Sequence, residues 1–93
     1  MAYTQHLSAT DAEAEFTLSG EHLLLLKSNG GTWSLVILTP DTPAEEIPVT
    51  SFDGDTQQRV EVPTGTRLKL SGGTLGAKMW TGKIERAVGD FLN

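Results

Sequence analysis

Cysteine is absent from this chain of 93 residues, so neither a disulfide nor a thiolate zinc site can staple it. Long apolar runs are absent too. The longest spans four residues, against the roughly 20 that a membrane-crossing helix needs. The start, Met1-Ala2-Tyr3-Thr4-Gln5-His6, has neither the charged head nor the apolar core of a signal peptide. These absences lead to the expectation of a soluble protein made in a cytoplasm, with no membrane partner. Bases are scarce: seven Lys and Arg stand against twelve Asp and Glu, a net charge of −5, which argues against nucleic acid as the partner.

Catalytic and metal signatures are missing as well. His6 and His22 are the only imidazoles and show no HxH or HExxH spacing. No Gly-x-Ser-x-Gly elbow occurs. Gly72-Gly73-Thr74-Leu75-Gly76 lacks the lysine and the strand-loop-helix setting of a phosphate cradle. Asp53-Gly54-Asp55 is too short for an EF-hand loop and reads as a turn. Glu45-Glu46 sits in a proline-flanked loop where solvation is the default. No enzyme, cofactor, metal or small-molecule substrate is expected.

What the chain does have is glycine-punctuated alternation. Leu23–Lys27 and Thr32–Leu38 flank Asn29-Gly30-Gly31, residues that tolerate positive φ, and read as a hairpin. Glu13–Leu18 alternates with Ala14, Phe16 and Leu18 on one side; Ala and Glu also suit a helix, but the alternation and the Ser19-Gly20 turn favour strand. Trp33, Leu35 and Ile37 share one face of the next strand, with Ser34, Val36 and Leu38 on the other. Thr39–Glu46, with two prolines and three acids, marks an exposed loop. Ile47–Phe52 carries Pro48, which suits an edge strand, and Asp53-Gly54 signals a hairpin. Val60 and Val62, then Leu68 and Leu70, point inward on either side of a Pro63-Thr64-Gly65 turn.

The expectation is an all-β fold, an antiparallel β-sandwich or flattened barrel of seven to eight short strands in a single domain spanning 1–93. Residues 1–12 form a possible N-terminal arm and 86–93 a short C-terminal tail. Charge is split along the chain: 1–55 holds nine acids and one base, whereas 56–93 holds three acids and six bases. Either this segregation orients one copy against the next, or neighbouring strands interleave the halves and cancel it.

Apolar residues exceed what one thin core can hold, so some belong to an interface. Trp80 faces outward between Lys78 and Gly82 if Met79 faces the core; the opposite register buries it. Trp80, Phe52, Val36, Leu38 and Phe91 are the expected contact residues.

Phe16-Thr17-Leu18-Ser19-Gly20, followed by Gly30-Gly31-Thr32-Trp33-Ser34-Leu35-Val36-Ile37-Leu38 and Val60-Glu61-Val62-Pro63-Thr64-Gly65-Thr66-Arg67-Leu68-Lys69-Leu70, resembles the small all-β virion proteins of tailed bacteriophages. These share a strand, Gly-Gly, strand pattern and a V-x-V/L-P-x-G turn. The resemblance covers roughly residues 14–86. It implies a virion structural protein, foremost a capsid decoration or cementing subunit assembled in the bacterial host cytoplasm. Its partners would be further copies of itself, the phage major capsid protein, or both. The alternative is a carbohydrate- or receptor-binding module on a tail or fibre, with Trp80 as a stacking platform.

Overall fold

The computed structural model describes residues 2–72 and 74–84. They form one antiparallel sheet of six strands: β1 (Tyr3–Leu7), β2 (Glu13–Lys27), β3 (Trp33–Leu38), β4 (Glu46–Phe52), β5 (Thr56–Gly72) and β6 (Lys78–Lys83). Their order across the sheet is β1-β6-β2-β5-β3-β4, and the sheet does not close on itself. The expected C-terminal tail lies outside the described residues.

The seven to eight expected strands become six because two expected turns are bends inside long strands. Glu13–Leu18 and Glu21–Lys27 are two halves of β2, and Thr56–Val62 and Arg67–Leu70 two parts of β5. The bends oppose each other: the register steps from Leu18↔Thr66 to Gly20↔Val62, leaving Ser19 opposite Pro63-Thr64-Gly65. Gly20 and Gly65 both take positive φ there, and the Gly65 amide donates to Ser19 Oγ at 2.9 Å. Such a bulge bends a strand pair and raises its twist. A Cβ at Gly20 would meet nothing within 4 Å, so Gly20→Ala isolates the backbone term. It should lower unfolding free energy by ~1 kcal/mol, the cost of left-handed backbone for an L-residue; a melt unchanged from wild type would show that the bend does not need that conformation.

On either side of this corner the long pair acquires different neighbours. The second half of β2 pairs with β6, which pairs with β1; the second half of β5 pairs with β3, which pairs with β4. Two turn signals therefore join strands that are not partners. Gly30 and Gly31 do adopt positive φ, but the segment connects β2 to β3, whose nearest sheet neighbours are β5 and β6 for one and β4 and β5 for the other. It is a crossing, not a hairpin. Asp53-Gly54-Asp55 likewise links β4 to β5, which do not pair. Both connections are clasped together: Asp55 accepts from Lys27 Nζ (2.7 Å) and the Ser28 amide (2.9 Å), and Asp53 accepts from Thr32 Oγ1 (2.9 Å). Among the described residues the one hairpin between sequence neighbours joins β3 and β4, closed by the Thr39 amide on the Glu45 carbonyl at 2.9 Å.

One face of the sheet carries a single core. Leu7, Leu24, Trp33, Leu35, Leu68, Leu70 and Met79 are fully buried in it, with Phe16, Leu18, Phe52, Val60 and Val62 around them. A flat sheet without another layer cannot bury one face this far, so the sheet must curl over its own side chains. The His6 ring of β1 accordingly stacks on Phe16 of β2 at 4.7 Å, although β6 separates these strands in the sheet. The inward sets Ala14/Phe16/Leu18, Trp33/Leu35, Val60/Val62 and Leu68/Leu70 follow the alternation read from the sequence.

Candidate functional site

The outer face of β6 and its two neighbours carries the most distinctive surface. Met79 is fully buried, so alternation turns Lys78, Trp80 and Gly82 outward. On one side β1 sets Gln5 opposite Trp80 and Tyr3 opposite Gly82; on the other β2 sets Leu25 opposite Trp80 and Leu23 opposite Gly82. Gly82 adds no side chain, which leaves a depression beside the indole. Tyr3, Leu25 and Trp80 line a shallow, almost wholly apolar groove of about 290 Å³. Tyr3 is 44% exposed, and Trp80, Leu23 and Leu25 are half-buried. Further along the same face lie Lys27 and Lys78, directly opposite each other, and Arg59 beside Leu23.

The other expected contact residues lie elsewhere. Phe52 belongs to the core: the β3–β4 register puts it opposite the buried Trp33, so it presents no surface to a partner. Val36 and Leu38 do face away from the core, but both are buried, Val36 between Pro48 of β4 and Lys69 of β5. Phe91 lies outside the described residues. Sequence reasoning missed Tyr3 as a groove residue, whereas Leu25 belongs to the run Leu23–Leu26, which holds more apolar residues than one core face needs. The odd positions of the leucine run hinted at Leu23 and Leu25, but the pairing of β1 with β6 has no local signature.

The charge split is interleaved by the β2–β5 pairing. Glu15 meets Arg67 at 3.4 Å, Glu21 meets Arg59 at 3.5 Å, and Lys69 bridges Glu13 (3.5 Å) and Glu46 (3.1 Å). Hydrogen bonding to Glu46, with both carboxylates nearby, raises the Lys69 pKa. Asp55, bonded to Lys27 and the Ser28 amide, is shifted down. Asp55 is exposed, so solvent screens its pair with Lys27, whereas Lys69 is half-buried between its two carboxylates.

Among the described residues no group of three or more His, Asp or Glu side chains converges as a metal site would require. The two histidines are half-buried. His6 Nε2 lies 2.7 Å from Thr81 Oγ1, and His22 Nε2 lies 3.2 Å from the Ser19 carbonyl. Burial, then the positive field of His22, lowers the His6 pKa below its usual 6.5. The unfolded chain therefore binds the proton first as pH falls. Stability should be complete above about pH 6.5 and decline as acid titrates His6 through its depressed folded value. Urea unfolding from pH 7 to 5 should show this fall, and His6→Phe should flatten it. Equal slopes for variant and wild type would assign the pH dependence to other groups.

Compared with known proteins, the chain matches no family model, no curated protein and no solved structure.

Proposed function

We propose that this chain is a structural subunit of a bacteriophage virion, foremost a capsid decoration or cementing protein. Its folded-over sheet is read as an open antiparallel sandwich that presents one docking face. The observation that carries this reading is the Tyr3–Leu25–Trp80 groove: an aromatic, apolar surface on the side of the sheet away from the core. Aromatic anchors of this kind dominate the energy of protein interfaces. The sequence resemblance supplies the virion context, and a small cysteine-free domain gains stability from packing on other copies or on a lattice. A sugar would need polar partners around the ring, and the groove lining offers almost none, which favours a protein partner over the carbohydrate-binding alternative.

The test is sedimentation of purified protein with empty heads, and separately with tails, of the phage that encodes it. Saturable binding to heads at lattice stoichiometry is expected. A monomer that sediments with neither would overturn the structural role, and binding to tails alone would move the protein to the tail.

A further inference from the structure

One seam beside the core has no strand ladder across it. Over Thr56–Val62, β5 pairs with β2 on one side, while β3 takes up the other side of β5 only at Leu68–Gly72. β4 ends the sheet. Besides the outer edge of β1 and the edge of β2 over residues 13–18, two main-chain edges are unpaired among the described residues: the outer edge of β4 and the far edge of the first half of β5. Each presents alternate N–H and C=O groups with no ladder partner. In this stretch of β5 the Arg59 carbonyl accepts the side-chain amide of its neighbour Gln58 at 3.0 Å.

These edges border the same cleft. It is lined by Val49 and Thr50 of β4, by residues 58–62 of β5, and by Leu35, Ile37 and Leu68 at its floor, and its volume is about 340 Å³. Exposure along β4 follows from this gap. Phe52, at the end packed against Trp33, is 5% exposed, whereas Val49 and Ile47, further along, stand at 47% and 53%. Ile47 pairs with Ile37, which packs on the core, so β4 loses its apolar cover where it parts from β5.

We infer that this cleft takes an added β-strand: an extended segment of a second protein chain with apolar residues at alternate positions. The backbone of the segment would bond the free edges, and its inward side chains would cover Val49, Ile37 and Val60. Strand addition joins main-chain pairing with side-chain pockets in this way. A compact ligand would satisfy the floor and leave both edges unpaired; a helix would have no groups free to bond them. The inference rests on the assembly reading above, and it supplies a second attachment, on the face opposite the aromatic groove.

The experiment uses the full-length protein, labelled with nitrogen-15, and as probe a short capped peptide alternating valine with threonine. Saturable amide shifts confined to residues 47, 49, 50 and 57–61 are expected, with slowed hydrogen exchange at the same amides. Val49→Arg, at an exposed position, should keep the wild-type melt but weaken peptide binding by roughly tenfold or more, because it sets a charge against an apolar floor. Leu75→Ala, on a distant turn, should leave binding as it was. No saturable shift at millimolar peptide, or shifts centred on Tyr3, Leu25 and Trp80, would overturn the inference. The peptide measurement involves no particle, so failure to bind heads would remove the virion reading without producing either of those results.

Discussion

Gly72→Ala is expected to lower the unfolding free energy by about 3 kcal/mol or more, at or beyond the upper end of the usual range for overpacking a core. Gly72 sits opposite Trp33 in the β3–β5 ladder. A Cβ there would lie 2.2 Å, 2.4 Å and 2.7 Å from three carbons of the indole. Contacts that short are impossible, and the obstacle is a rigid ring with no exposed surface, not the free end of a flexible chain. Phe52 stands opposite Trp33 on its other side, so the ring cannot swing away without disturbing β4. Small domains have roughly 5–15 kcal/mol in total, so this single methyl group would remove a large part. Denaturant unfolding measures the loss, and a double-mutant cycle assigns its cause. In a Trp33→Leu background, Gly72→Ala should cost ~1 kcal/mol or less, giving a coupling of about 2 kcal/mol or more between two residues in contact. If the cost is the same in both backgrounds, the indole is not what glycine accommodates.

Gly72 also marks where local sequence signals stop being informative. Ser71-Gly72-Gly73 reads as a strand breaker, yet β5 continues to Gly72, which is glycine because a ring lies over it. The same limit applies at the turns. Gly30, Gly31, Gly20 and Gly65 do take the positive φ their neighbours suggest. A dihedral angle, however, does not determine which strand the chain meets next. At Asn29–Gly31 it passes to another part of the sheet, and at Ser19-Gly20 and Pro63–Gly65 two reversals face each other and become one corner. Alternation was more legible, because period-2 burial depends only on which side is the core. Phe16, Leu18, Leu35, Val60, Val62, Leu68 and Leu70 share that core as the pattern implies. Phe52 joins that core, against the expectation of a contact residue, because a register shift between Leu35 and Val36 changes the parity along β4. The aromatic groove was half legible: Trp80 follows from the alternation around Met79, whereas Tyr3 comes from a strand at the other end of the chain.

Trp80→Ala tests whether that groove is an attachment surface, and it should weaken binding to heads, or to further copies of the chain, by about 2 kcal/mol or more, the cost of losing an interface hot spot. That corresponds to a roughly thirtyfold rise in dissociation constant. The fold should survive, because Trp80 lies on the outer face while Met79 and Thr81 on either side of it face the core. Leu25→Ala should act in the same direction with a smaller effect, since it removes one wall of the groove and keeps the indole. Leu75→Ala is the control: Leu75 is 58% exposed, more than any groove residue, and lies on the turn whose carbonyl accepts from Asn29. If simple loss of exposed apolar area governed association, Leu75→Ala would match Trp80→Ala. Under a hot-spot interface it has no effect. Added salt should slow association more than it speeds release, because Lys27, Lys78 and Arg59 sit at the edge of the groove, where charge affects encounter more than the bound state. Kinetics of head binding for the three variants at two salt concentrations separates these cases. Unchanged binding by Trp80→Ala would place attachment elsewhere on the chain.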